Sequence, residues 1–291
     1  MNSLYFAQYL VNEDVLEPQE AKDILKACEG TVPGLAVVAL AEGAIPASKL
    51  AELAPFEKDA FPKLAMAEGV LFASQLEKLQ AIHATDGLRL AQALLDSEKM
   101  DFVELGRWMA ACGAQEKSPI KEAVRRLAED NEEIAVEVES YAEFTELFMR
   151  SFMRFMDTLA IINYCEPDYE GMITSHIVSQ RLSGQIGFVS GIYASDRMFV
   201  EMAKRYSRED INDADEMAED SIAEFLNVVN GLFMVDLGKR DLDLDLEAPR
   251  TGQNKHPQGS KQLQLCIDTG FGSFMLVMAA DEFTLTGKLP D

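Results

Sequence analysis

A short turn segment that recurs through the first 113 residues places the strongest constraint on the fold. Its copies are Asn12-Glu13-Asp14-Val15-Leu16, Ala41-Glu42-Gly43-Ala44-Ile45, Ala67-Glu68-Gly69-Val70-Leu71 and Asp96-Ser97-Glu98-Lys99-Met100. The last residues of successive copies are 29, 26 and 29 positions apart, and the position five residues later is apolar in each copy. Such a period is typical of stacked helix-turn-helix units, whose first helix ends at a turn residue such as Gly43 or Gly69. Residues 1–117 are therefore predicted to form an all-α helical-repeat domain.

The pattern changes after this region. Ser118-Pro119 predicts a helix start, with serine as the N-cap and proline at the first helical position. The acidic stretch Glu129-Asp130-Asn131-Glu132-Glu133 that follows favours solvent, because clustered like charges repel. Residues 118–140 are therefore predicted to be a helical and acidic connector, and residues 141–291 a second domain.

The second domain is predicted to be α+β, with helices packed on one side of an antiparallel sheet. An aromatic stripe with helical spacing predicts a core helix from Phe144 to about Ile162. Two alternating segments, split by Leu182-Ser183-Gly184, predict a hairpin. The other predicted elements are helices from Ser195-Asp196 to Tyr206 and from Asn212 or Asp213 to Gly238, and strands at Ile173–Arg181, Gly184–Tyr193, Asp241–Leu246, Gln262–Asp268 and Ser273–Ala280.

One face of the last predicted helix is polar in a way that burial does not require. At about 100° per residue, Asp220, Glu224, Asn227 and Gly231 lie within roughly 60° of one another, and apolar residues occupy the opposite side. A carboxylate beside an amide offers one group for a cation and another for positioning a water molecule. This equipment is suited to hydrolysis of a phosphoryl group. The bland alternative is a solvated helix surface, which is common.

The spacing Asp220-x3-Glu224-x2-Asn227, with Pro249 about twenty residues further on, resembles the signature of the CheC/CheX/FliY phosphatases of bacterial chemotaxis. The predicted order of helices and strands agrees with that fold, and the resemblance covers roughly half of the chain. Family members with two sites have a second Glu-x-x-Asn in the first helix of the domain. The corresponding segment here, Glu146-Leu147-Phe148-Met149, lacks the asparagine, so the resemblance implies a CheX-like member with a single site.

The resemblance also implies roles for these residues. Asn227 would hold the attacking water inside the active site of a phosphorylated CheY-like response regulator, and Glu224 would pair with the regulator's lysine. Asp220 would support the helix face, and Pro249 would shape the adjoining loop. The Mg²⁺ ion would belong to the regulator, so no cofactor is expected on this chain. Family members with one site tend to dimerise through sheet edges, which implies a homodimer.

Two further residues of this helix are singled out by their type. Gly231 lies in mid-helix, where glycine costs on the order of 1 kcal/mol relative to alanine. Beside a polar face, Asn230 and Gly231 suggest close approach of a partner backbone.

The composition is that of a folded protein with a strong negative charge. The chain has 291 residues, a hydrophobic content of 48% and a formal net charge of -24. Nucleic acid and anionic membranes would be repelled, so neither is expected as a partner. No apolar stretch approaches 18 uninterrupted residues, and the N-terminus lacks a basic region before an apolar core. These features predict a cytoplasmic protein without membrane insertion.

Cysteine and histidine show no ligand spacing, which predicts the absence of a metal site. Isolated cysteines are usually small buried hydrophobes. The residues concerned are Cys28, Cys112, Cys165, Cys266, His83, His176 and His256.

Two alternatives stay open. The second domain could be a non-catalytic adaptor that binds a response regulator, with the helical repeats as a docking or ligand-sensing module. The repeats weakly resemble those at the N-termini of secretion ATPases, some of which bind cyclic dinucleotides through an arginine-leucine-glycine motif. That motif is missing here, so a docking or dimerisation scaffold is favoured over nucleotide binding.

Overall fold

The structure is a computed structural model that describes residues 3–53, 60–82, 86–129, 131–164, 175–185, 187–240, 242–259, 261–280 and 284–286. Five residues used above lie outside this part of the chain: His83, Asp130, Cys165, Ile173 and Asp241. The chain separates into two compact units, residues 1–119 and 120–291.

The described part of the first unit is helical. Its helices are α1 (Ser3–Asn12), α2 (Pro18–Cys28), α3 (Leu35–Ala41), α4 (Ala47–Leu53), α5 (Phe61–Ala67), α6 (Ala73–Gln80), α7 (Asp86–Asp96) and α8 (Phe102–Gly113). The recurring turn segments join α1 to α2, α3 to α4, α5 to α6 and α7 to α8.

The four turns share one backbone geometry. Each has a left-handed residue at the same position, with φ of 53° at Asp14, 64° at Gly43, 67° at Gly69 and 56° at Glu98. The next residue donates its N–H to a carbonyl five residues back, as from Ala44 to Ala39 at 2.9 Å. The apolar residue that closes each turn is buried: Leu16, Ile45, Leu71 and Met100. Each turn therefore ends its helix with a Schellman-type cap and anchors the chain in the core.

The second unit combines helices with an antiparallel sheet. Its helices are α9 (Pro119–Ala128), which begins at the boundary, α10 (Val138–Met156), α11 (Asp196–Ser207) and α12 (Glu216–Gly238), with a 3₁₀ turn at Glu132–Ile134. Its strands are β1 (Ala160–Asn163), β2 (Ser175–Gly184), β3 (Phe188–Ser195), β4 (Leu244–Leu246), β5 (Arg250–Gln253), β6 (His256–Gln258), β7 (Gln262–Thr269), β8 (Gly272–Ala279) and β9 (Thr284–Thr286).

The main sheet has the order β1-β7-β8-β3-β2-β4, and β5 pairs with β2 beside β4. Helices α10, α11 and α12 contact this sheet, which confirms the predicted α+β architecture. The aromatic stripe of α10 is core, since Phe144, Phe148 and Phe152 are fully buried. On the strands, a buried cluster around Ile177 and Tyr193 is covered by Leu285 of the small β6–β9 sheet.

Several predicted boundaries are wrong. The helix predicted to reach Ile162 ends at Met156, because Asp157 adopts a left-handed conformation (φ 51°) and the chain then forms β1. The predicted turn at Leu182-Ser183-Gly184 belongs to β2, whose pairing with β4 continues through Gly184. The apolar residues at 160–162 fit either a helix or a strand by pattern, so periodicity did not separate them.

Helix α12 carries the core of this unit on one side. Ile222, Phe225, Leu226, Val229 and Phe233 are buried, as the pattern predicts. By length and composition alone, α12 is the one helix in the described part of the chain that could cross a membrane, and 44% of its most apolar window is buried in the protein.

Candidate functional site

Helix α12 begins at a side-chain cap. The carboxylate of Asp215 accepts hydrogen bonds from the N–H groups of Met217 (3.1 Å) and Ala218 (3.2 Å). The start predicted at Asn212 or Asp213 is therefore early by about one turn. The cap satisfies two N–H groups that have no partner within the helix, and it fixes where the polar face starts.

The acid and the amide of the candidate site lie on the accessible side of α12. Asp220 and Glu224 are exposed, and Asn227 is half-buried. A methyl group added at Gly231 would meet nothing within 4 Å, so this point of the helix is open to close approach. The structure thus brings Asp220, Glu224, Asn227 and Gly231 together on one face, as the helical spacing predicts.

The side chain of Asn227 does not stand wholly in solvent. Its Oδ1 accepts a hydrogen bond of 2.8 Å from Nε2 of Gln180, which lies on β2. The reason is that α12 packs against β2 and turns the edge of its polar face toward that strand. Among the described residues, no hydrogen-bond partner is seen for Nδ2 of Asn227.

Gln180 is the centre of a polar chain beneath α12 that the sequence patterns did not reveal. Only 2% of Gln180 is exposed. Its Nε2 donates to Asn227 Oδ1 and, also at 2.8 Å, to the backbone carbonyl of Glu247. Its Oε1 accepts from Nδ2 of Asn230 at 2.9 Å. A polar residue at a position of β2 that faces the helices is a weak signal for such a chain, because buried polar groups need partners.

Asn230 belongs to this buried polar chain of hydrogen bonds and not to the exposed face of α12. It is fully buried, and its Oδ1 accepts a hydrogen bond of 2.9 Å from the Ser190 hydroxyl on β3. The prediction grouped Asn230 with Gly231 as a pair suited to a partner's close approach. The structure separates them, because consecutive helix residues point about 100° apart.

Pro249 lies in the break between β4 and β5. Residues 247–249 leave the sheet while the strands on either side both pair with β2. The N–H of Glu247 still donates to the carbonyl of Arg181 at 2.9 Å, which anchors this loop beside Gln180. A proline has no N–H to offer a ladder, so a break in the strand tolerates it.

Tyr206 gives the face near Glu224 a neutral hydroxyl. Burial raises the pKa of Tyr206, and the negative charge of Glu224 raises it further. The ring packs edge-on against Phe225 at 5.6 Å between centroids. The phenol thus keeps its proton near the carboxylate.

Apolar side chains border the polar residues on the same helix. Met217, Leu232 and Val235 are 57%, 45% and 58% exposed. These side chains are available for contact with a partner that docks on α12.

The segment that corresponds to a second site is built for packing. Met149, at the position of the missing asparagine, is fully buried. Glu146 lies 3.5 Å from Lys121 in an ion pair. This stretch of α10 therefore has no amide beside its acid.

His176 lies beside α12 and contacts an acid of that helix. Its Nε2 lies 3.1 Å from Asp196 and its Nδ1 lies 3.6 Å from Glu219, and the ring stacks on Phe199. Within the described residues, no group of three or more histidine, cysteine, aspartate or glutamate side chains has a metal-binding arrangement.

Comparison with solved structures finds chemotaxis proteins that match about half of the chain. A CheX from Desulfovibrio desulfuricans is 13% identical and covers 47% of this chain and 96% of its own, with a TM-score of 0.39. A CheX from Vibrio vulnificus is 18% identical and covers 47% and 95%, with a TM-score of 0.38. The CheX-CheY-BeF3-Mg²⁺ complex from Borrelia burgdorferi is 15% identical and covers 49% and 95%, with a TM-score of 0.37. No curated protein matches the sequence.

A family model covers the candidate site itself. The model described as "Chemotaxis phosphatase CheX" matches residues 177–268. This span includes Gln180, the α12 face with Glu224 and Asn227, and the loop with Pro249. The second half of the chain thus carries a segment that matches the CheX family of chemotaxis phosphatases, as its Glu-x-x-Asn spacing predicts.

Proposed function

We propose that this chain is a phosphatase that hydrolyses the aspartyl phosphate of a CheY-like response regulator, in chemotaxis or a related two-component pathway. The observation that supports this most is the accessible pair on α12, in which the Glu224 carboxylate and the Asn227 amide lie one turn apart. The family match over residues 177–268 spans both residues.

Asn227 is the catalytic residue of the proposal. Its Oδ1 has two lone pairs and Gln180 takes one, so one lone pair and both N–H bonds of Nδ2 are left for a water molecule. Hydrolysis of a phosphoryl group depends chiefly on placing that water in line with the phosphorus atom. Because the hydrogen bond from Gln180 already orders the Asn227 amide, the amide can place the water without losing further conformational freedom.

Glu224 sets the docked geometry. Its exposed carboxylate pairs with a lysine of the regulator in a charge-assisted hydrogen bond. The apolar residues Met217, Leu232 and Val235 border the contact, and the open surface at Gly231 lets the partner approach the helix backbone. The chain's net charge of -24 favours a partner with a basic rim.

The Mg²⁺ ion of the reaction belongs to the regulator in this proposal, so this chain needs no cofactor. Response regulators act in the cytoplasm, and we place the chain there. We keep the homodimer as a prediction, checked by light scattering of the purified chain.

The test is phosphate release from a phosphorylated CheY-like regulator with the intact chain. In Asn227→Ala we expect kcat to fall about a hundredfold, as for removal of an oriented donor, with little change in the Kd for the regulator. Glu224→Gln should raise KM more than it lowers kcat. Asp236→Asn, which changes an exposed acid of the same helix outside the polar face, is the matched control and should behave like the wild type.

The competing function is a non-catalytic adaptor. It predicts phosphorylation-dependent binding with no acceleration of phosphate release in the wild type. Full activity in Asn227→Ala would instead leave an enzyme with a different mechanism.

A further inference from the structure

We infer that Gln180 is a positioning residue of the proposed site: it sets which way the Asn227 amide points, and so which of its atoms meet the water. This inference rests on the proposed function for its effect on turnover, but the orientation of the amide is measurable without it. Gln180 is buried under α12 and takes no part in the exposed face.

The direction of the polar chain is set at the carbonyl of Glu247. A backbone carbonyl only accepts hydrogen bonds, so the group that faces it at 2.8 Å must be Nε2 of Gln180. The carbonyl is itself held in place, because the N–H of the same residue donates to Arg181 at 2.9 Å. The side-chain amide of Gln180 therefore has one orientation.

The other bonds follow from that orientation. With Nε2 fixed, Oε1 of Gln180 faces α12 and accepts from Asn230 at 2.9 Å. Asn230 is fixed in turn, since only its Nδ2 can donate to that oxygen, and its Oδ1 then accepts from the Ser190 hydroxyl at 2.9 Å. Two strands, the loop after β4 and one helix thus determine the orientation of a single buried amide.

The second N–H of Gln180 Nε2 fixes the orientation of the Asn227 side-chain amide at the surface. It meets Asn227 at 2.8 Å, and only an oxygen can accept it. If the Asn227 amide were flipped, two NH₂ groups would face each other and both would lose a partner. The Nδ2 group is consequently directed away from β2, toward the accessible side where Glu224 lies.

Turnover of the folded protein distinguishes a positioning residue from one that only stabilises the fold. A residue that only stabilises the fold would change the free energy of unfolding and leave kcat of the folded enzyme unchanged. A residue that orients the amide changes kcat while the Kd for the regulator stays the same. The orientation is also visible in the exchange of the Asn227 NH₂ protons with water.

The decisive variant is Gln180→Glu. A glutamate has nearly the same shape, and at a pH high enough to ionise it the carboxylate accepts and does not donate, so Asn227 should then turn its Nδ2 inward to donate to it. We expect kcat for phosphate release to fall at least tenfold with an unchanged Kd. Gln185→Glu is the matched control: Gln185 is exposed and uses Oε1 to accept from the N–H of Asp243, a contact that glutamate retains.

The second readout uses protein labelled with ¹⁵N-asparagine, in which the Asn227 signal is identified by its loss in Asn227→Ala. In the wild type, both NH₂ protons should exchange rapidly with water. In Gln180→Glu, one of them should exchange at least tenfold more slowly. If the carboxylate prevents folding, Gln180→Met of similar length serves instead, and kcat should again fall with Kd unchanged.

The outcomes separate the two proposals. Wild-type kcat in a folded Gln180 variant, in a chain that is an active phosphatase, would overturn the positioning role alone. Identical NH₂ exchange in the wild type and Gln180→Glu would overturn the orientation itself. Altered exchange in a chain without phosphatase activity would support the orientation and reject the proposed function.

Discussion

The turns of the helical unit and the polar chain beneath α12 are held by contacts of very different range. In the turns, a hydrogen bond joins residues five apart, such as Ala44 and Ala39. In the polar chain, Gln180 reaches Asn227, Asn230 and Glu247 across 47, 50 and 67 residues. Local bonds shape the turns, whereas the polar chain forms only where β2, β3, the loop at Glu247 and α12 pack together.

Glycine shows the same contrast. Gly43 and Gly69 have φ values that other residues adopt only with strain, and the fold therefore favours glycine there. Gly231 lies in a regular helix with open space beside it, where glycine weakens the fold. A glycine that does not serve the fold is a reason to look for a partner.

The largest expected effect on stability comes from breaking the polar chain. In Asn230→Ala, the Ser190 hydroxyl and Oε1 of Gln180 lose partners in the core, which should lower the free energy of unfolding by about 3 kcal/mol. The β-sheet signal in circular dichroism measures this during denaturation. If Asn230→Ala lowers the free energy of unfolding no more than an exposed substitution such as Asp220→Ala does, the polar chain contributes little to stability.

Helical glycines in the two units should respond in opposite ways. At Gly106 of α8, an added Cβ would lie 2.9 Å from Cβ of Ala47, so Gly106→Ala should destabilise the first unit by about 1–3 kcal/mol. At Gly231, where nothing lies within 4 Å, the same change should stabilise the second unit by roughly 0.5–1 kcal/mol.

Trp108 is the single tryptophan, and its fluorescence reports unfolding of the first unit for the Gly106 variant.

If Gly231 serves the approach of a partner, Gly231→Ala should also raise KM for the phosphorylated regulator. A more stable variant with unchanged KM would contradict that role.

At the left-handed position of the turns, replacing a non-glycine residue with glycine should be tolerated, and replacing glycine with another residue should not. Gly43→Ala places a side chain at φ 64° and should cost about 1–2 kcal/mol, whereas Glu98→Gly at φ 56° should relieve a similar strain. Gly30→Ala, which meets nothing within 4 Å and has no left-handed backbone, is the control. Trp108 fluorescence during chemical denaturation measures all three.

The smallest effect is a dependence of stability on pH through His256. Burial lowers the pKa of this histidine, which contacts the Tyr193 hydroxyl at 2.6 Å. In the unfolded chain its pKa is about 6.5, so the unfolded state binds more protons below that pH.

The contribution of His256 to stability is therefore complete above about pH 6.5 and is lost as the pH falls from there through the folded pKa. The measurement is the difference in unfolding free energy between the wild type and His256→Gln across this range. A difference that does not change with pH would show that His256 is protonated equally in both states.

The sequence predicted those features that depend on neighbours along the chain. The turns at Gly43 and Gly69, the apolar face of α12 and the common face of Glu224 and Asn227 all follow from spacing alone. The C-terminal end of α10 does not follow from spacing, because a left-handed Asp157 ends the helix and residues 160–163 then pair with β7.

The polar chain also cannot be predicted from the spacing of residues in the sequence. Gln180, Ser190 and Asn230 meet only because β2, β3 and α12 pack together. Without a measure of which residues approach each other in space, Asn230 was predicted to belong with its neighbour Gly231. Its actual role depends on residues 40 and 50 positions away.

The most direct test of the proposed function is the time course of phosphate release from a phosphorylated CheY-like regulator with increasing amounts of the intact chain. We expect a rate that rises and then saturates in the wild type, and a rate close to that of the regulator alone with Asn227→Ala. A wild-type chain that binds the phosphorylated regulator without changing the rate of phosphate release would contradict the phosphatase and leave an adaptor.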